Sequence, residues 1–116
     1  MATPMLLFRG TLDILILKTL AWGPSHGYAI SRWISQTTGD ALQIEEGALY
    51  PALRRLEERV LVESSWQRTE SGREAKVYQI TAAGKQQLRS ELANWSRYVT
   101  AMGRVLEARP VGGIGS

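Results

Sequence analysis

Glu46-Gly-Ala-Leu-Tyr-Pro-Ala-Leu-Arg-Arg-Leu-Glu-Glu-Arg59 is the stretch that decides the fold. Leu49, Leu53, Leu56 and Val60 recur at spacings of four, three and four, so they share one face of a helix expected over 47–59. At about 100° per residue the opposite face carries Gly47, Pro51, Arg54, Arg55 and Glu58, with Tyr50 on the flank. Pro51 is expected early in the helix, where its missing N–H costs little. Two strand-like runs follow at once, over 61–68 and 75–81. In the second, Tyr78 and Ile80 point one way and Val77 and Gln79 the other. Between them Thr69-Glu-Ser-Gly-Arg-Glu74 reads as a polar hairpin loop.

Working outward, a first helix is expected over 11–21. Leu12, Ile14, Leu15, Ile16, Leu17 and Leu20 cover most of its circumference, so it is buried on more than one side. Two arrangements satisfy that: a subunit contact, or a central place in the core of one protomer. Gly23-Pro24 breaks the chain, and a second helix is expected over 26–38, with Ser25 as N-cap. Its inner face would be Ile30, Trp33, Ile34 and Thr37, and Gly39 its left-handed stop. Leu42 and Ile44 anchor the linker that follows.

A last helix begins near Thr81. Leu88, Leu92, Trp95, Val99, Met102 and Leu106 alternate steps of four and three, a seam close to three heptads long. That stripe suits a partner helix, with a helix lying across its own protomer as the alternative. The order of elements is α+β, a winged helix-turn-helix with a long C-terminal helix for dimerisation. Residues 1–81 would form the DNA-binding domain, 82–109 the dimerisation helix and 110–116 a disordered tail.

The chain has 116 residues, enough for one domain. It has no cysteine, which rules out disulfides, thiolate metal sites and a thiol nucleophile. No apolar run is long enough to cross a membrane, and residues 1–8 lack the features of a secretory signal. A cytoplasmic protein is expected. The net charge of +3 is unevenly placed: residues 1–81 hold nine Lys/Arg against nine Asp/Glu, and 82–116 hold five against two. A DNA-binding face must therefore arise from sidedness within a neutral region.

Four motifs carry a family resemblance: Gly10-Thr-Leu-Asp13; Ala21-Trp-Gly-Pro24 with His26-Gly-Tyr28; Glu46-Gly-Ala-Leu-Tyr-Pro-Ala-Leu53 with Leu56-Glu57; and Tyr78-Gln-Ile-Thr-Ala-Ala-Gly84. Each alone is weak, but in this order and spacing, over roughly 10–106, they are specific. The chain resembles the PadR family of transcriptional regulators, in its short C-terminal class. The resemblance implies a homodimeric, usually repressing DNA-binding protein, joined through its first and last helices. It assigns DNA contact to Tyr28, to Gly47, Ala48, Tyr50, Pro51, Arg54 and Arg55, and to Arg73 and Lys76 of the wing. It assigns dimerisation to Leu12, Leu15, Leu88, Leu92, Trp95, Val99, Met102 and Leu106. Val60 departs from the family pattern, which has glycine there to turn through positive φ.

Duller readings stand beside these. The arginines of the central helix suit guanine edges and phosphates, yet Glu57 and Glu58 could pair with them on a solvated face. Arg68, Arg73 and Lys76 suit a DNA backbone or minor groove, or simply a soluble loop. Trp95 could stack a small aromatic effector between subunits, or only pack the seam. His26 stands alone, so a cap or hinge role is favoured over metal binding. No cofactor or metal is expected, and no nucleophile–base–metal set points to an enzyme. The rival from another class is a winged-helix protein-interaction module without DNA binding, which the neutral charge of residues 1–81 supports.

Overall fold

The computed structural model describes residues 10–110; the tail expected to be disordered lies, apart from Pro110, outside them. The chain order is α1 (Thr11–Leu20), β1 (Ser25–His26), α2 (Gly27–Thr37), α3 (Glu46–Glu58), β2 (Val62–Arg68), β3 (Glu74–Ile80) and α4 (Ala82–Glu107). Three helices pack around one small antiparallel sheet of order β1-β3-β2, and α4 leaves this body as a long single helix. The α+β winged helix-turn-helix architecture is as the sequence suggests.

The core is an aliphatic cluster. Ile16, Leu17 and Leu20 of α1 meet Ile30 and Ile34 of α2, Leu49, Leu53 and Leu56 of α3, and Val62 of β2. Leu12, Ile14 and Leu15 are half-buried against the same cluster, so α1 uses most of its circumference. Thr19, a buried polar residue, donates its hydroxyl to the Leu15 carbonyl at 2.8 Å, so its burial leaves the hydroxyl satisfied.

Three details differ from the sequence reading. Ser25 is not the cap of α2: with His26 it pairs on β3, Ser25 opposite Tyr78 and His26 opposite Val77. The chain leaving Gly23-Pro24 thus satisfies its backbone on a sheet edge, and α2 begins one residue later than expected, without a side-chain cap. Trp33 is 39% exposed and Thr37 is exposed, so the inner face of α2 reduces to Gly27, Ile30 and Ile34. Pro51 stands sixth in α3 rather than in its first turn, where it cannot donate to the exposed Gly47 four residues back.

The exit from α3 has the geometry of a Schellman cap. Leu61 N–H donates to the Leu56 carbonyl at 2.9 Å and Val60 N–H to that of Glu57 at 3.0 Å. Val60 occupies the left-handed position with φ of 59°, where a β-branched side chain is strained. The Thr81 hydroxyl donates to the Val60 carbonyl at 2.7 Å and accepts from Gly84 N–H at 3.0 Å, capping α4 as expected. The end of α3, the start of β2 and the start of α4 are joined at this one point.

Candidate nucleic-acid interface

The hairpin register sets which wing side chains face the helices. Val62 pairs with Ile80, Ser64 with Tyr78, Trp66 with Lys76 and Arg68 with Glu74, so these pairs alternate onto one face of the β2–β3 ladder. Near the body that face is covered: Val62 and Tyr78 are buried, and Ser64 donates to Glu57 of α3 at 2.5 Å. Further out it overhangs a groove of about 600 Å³. The groove runs between the start of α2 (His26, Gly27, Tyr28), Tyr50 of α3, and Trp66, Arg73, Lys76 and Tyr78 of the wing.

The wing tip is preorganised. Gly72 takes a φ of 84°. Thr69 donates both its N–H (2.7 Å) and its hydroxyl (2.9 Å) to the Arg73 carbonyl. This anchors the backbone of Arg73 and leaves its side chain exposed.

The structure divides the expected DNA-contacting residues into three groups. Tyr28, Tyr50, Arg73 and Lys76 line the groove together. Gly47, Ala48, Pro51 and Arg54 are exposed along the outward side of α3. Arg55 is turned toward α1: its Nη2 lies 3.6 Å from Asp13 Oδ1, with the side chain still more than half exposed. Lys76 is also partly engaged, 3.8 Å from Glu57 and 5.7 Å from the centre of the Tyr78 ring. Burial raises the Tyr78 hydroxyl above its ordinary pKa, Glu57 and Tyr50 push the same way, and Arg54 pulls it back. Tyr78 therefore stays a neutral hydroxyl at the back of the groove.

Two residues of this face were given no role from sequence, Gly27 entering only within the His26-Gly-Tyr28 motif. Trp66 is 67% exposed on the wing. Strand alternation places it on the same face as Val62, but there it lines the groove instead of being covered. Gly27 is buried directly behind Tyr50, and a glycine opening a helix gives no sign of what lies against it.

A second surface lies along α4. Leu92, Trp95, Val99, Met102 and Leu106 are exposed in one row, joined by Tyr98 and Val105, which the seven-residue reading passed over. Leu88 does not belong to that row: it is 6% exposed and packs in the protomer core, because the globular body reaches that far along the helix. Trp95 and Tyr98 sit with ring centres 6.1 Å apart. With Met102, Glu91 and Asn94 they line an open groove of about 390 Å³ against Gly10, Thr11 and Ile14 of α1.

Residues 16–90 match the model of the transcriptional regulator PadR-like family. A PadR family transcriptional regulator from Eggerthella lenta superposes with a TM-score of 0.76 at 35% identity, covering 87% of this chain and 86% of that one. A transcriptional regulator from Clostridium thermocellum superposes with a TM-score of 0.77 at 30% identity, covering 83% and 93%. An uncharacterized protein of Lysinibacillus sphaericus is 34% identical over 90 residues, 78% of this chain and 83% of its own length. With the match spanning most of the chain and the wing, α3 and long last helix all in place, this protein belongs to the PadR-like family of transcriptional regulators.

Proposed function

We propose that the chain works as a cytoplasmic homodimeric repressor that binds a near-palindromic operator. The observation that carries this reading is the groove in which Tyr28, Tyr50, Arg73 and Lys76 converge from three elements, beside the exposed α3 face with Arg54. Helix α3 would enter the major groove, with Arg54 reading a base edge or phosphate and the Tyr50 hydroxyl meeting the backbone. The wing would lie along the flanking backbone through Arg73, with Trp66 offering apolar contact to sugars. The basic excess after residue 81 adds non-specific attraction.

The dimer reading rests on the row from Leu92 to Leu106, which suits a second copy of the same helix around a twofold axis. Two recognition helices so related would address half-sites about 10 bp apart, or a multiple of that. Residues 1–81 would then be the DNA-binding unit and 82–109 the dimerising helix. An aromatic effector stacked on Trp95 and Tyr98 would regulate only by favouring one spacing of the recognition helices over another.

The test is binding of the full chain to DNA flanking its own gene, followed by anisotropy between about 50 and 200 mM salt. A steep loss of affinity with salt, and competition by the specific sequence over random DNA, are expected. Binding that is absent at every salt concentration would favour the protein-interaction module instead.

A further inference from the structure

We propose that Gly27 is a positioning residue for DNA recognition: lacking a side chain, it lets the Tyr50 ring lie against the start of α2 and so fixes where α3 presents the tyrosine hydroxyl. The inference rests on the DNA-binding reading above and adds to it the residue that sets the contact geometry.

The first observation is a distance. A Cβ built on Gly27 would lie 2.8 Å from Tyr50 Cε1, 3.0 Å from its hydroxyl oxygen and 3.1 Å from Cζ. No side chain larger than hydrogen fits there while Tyr50 keeps its place. The second concerns the backbone. Gly27 is the first residue of α2 and does not have positive φ, so nothing in its conformation calls for glycine. Alanine is the better helix former. The neighbouring ring is therefore the local reason for glycine.

The third observation is that Gly27 cannot simply retreat. The residues before it, Ser25 and His26, are paired to Tyr78 and Val77 of β3, which pins the start of α2 to the wing. Tyr50, by contrast, is 45% exposed and meets Gly27 with the far end of its ring. An added methyl would therefore be absorbed by Tyr50 swinging away, with the fold kept. Gly27, Tyr50 and Tyr78 thus form a corner where α2, α3 and the wing share one register, and Tyr50 is its movable part.

The experiment is a double-mutant cycle with Gly27→Ala, Tyr50→Ala and the double variant, read by operator affinity at low salt, where weak variants still bind measurably, and by thermal melts. Gly27→Ala alone should stay folded and lose about tenfold in affinity, within the range that touching residues show. In the Tyr50→Ala background the same change should cost no further affinity. The melts should be coupled too, with alanine at 27 better tolerated when Tyr50 is gone. Wild-type affinity for Gly27→Ala, or an equal loss in both backgrounds, overturns the proposal. A wild-type chain without salt-dependent DNA binding overturns the reading beneath it. The melts then decide the contact alone: coupled melts keep Gly27 as the seat of Tyr50, and additive melts remove it.

Discussion

From Thr81 to Leu88 the last helix is gripped by the body of the protein; from Leu92 to Leu106 its apolar side chains stand in the open. In the first half Thr81 caps the helix and ties it to Val60, Gly84 lies directly on the Leu61 carbonyl, and Leu88 enters the core. In the second half every apolar residue of the seam is at least 38% exposed. Both halves continue the same four–three stripe of hydrophobic residues. The difference is that one stripe folds the protomer up to the edge of the globular body and stays exposed beyond it, where in the proposed dimer it would meet a partner.

The sharpest way to break the gripped half is Gly84→Ala. Its new Cβ would fall well inside contact distance of the Leu61 carbonyl oxygen and at 2.7 Å from Ile80 Cγ1. Because the main obstacle is backbone, the helix itself must shift, and a loss of about 3 kcal/mol is expected in denaturant unfolding. A melt like that of the wild type would mean that α4 is not seated as described. In the open half, Trp95→Asp should act on assembly. Sedimentation is expected to show a dimer for the wild type at micromolar concentration and a monomer for the variant; a wild-type monomer would remove the partner-helix reading.

Two smaller effects sharpen the picture. Val60→Gly relieves the left-handed strain of about 1–2 kcal/mol, offset in part by the greater freedom of unfolded glycine. A net stabilisation of roughly 1 kcal/mol is expected from the melting temperature, and a loss would refute the strain. The smallest effect is at Arg55. As an exposed partner of Asp13 it contributes under about 1 kcal/mol to stability. Arg54→Ala should cost operator affinity on the order of 1–3 kcal/mol, and Arg55→Ala distinctly less. Equal losses would show that Arg55 leaves Asp13 to read DNA.

What the amino-acid order made legible follows from period. The leucines at 49, 53 and 56 identified the central helix, and alternation at Tyr78 and Ile80 oriented the second wing strand. The left-handed turn at Val60 was legible because a known pattern has glycine there. Elements without a period were missed: β1 is two residues long, and its pairing with Tyr78 and Val77 exists only once the wing has formed. Leu88 was assigned to the seam because nothing in a heptad marks where the body ends. Arg54 and Arg55 are neighbours of the same chemistry, and only the position of Asp13 on another helix separates them. Trp66 escaped because alternation gives the face of a strand residue but not whether that face is covered.

The helix that leaves the wing at Thr81 is also a lever. Between Leu88 and Leu106 it runs 18 residues, about 27 Å at 1.5 Å per residue, past the start of α1 and beyond the buried core. A tilt of about one tenth of a radian at its root would carry its far end by roughly 3 Å. In the proposed pair, with the far ends clasped, the same tilt would instead swing the two winged bodies relative to each other. The distance between recognition helices then becomes an angular quantity, set near Leu88 and read out on the DNA, and a ligand between α1 and α4 need change only that angle to be felt at both half-sites.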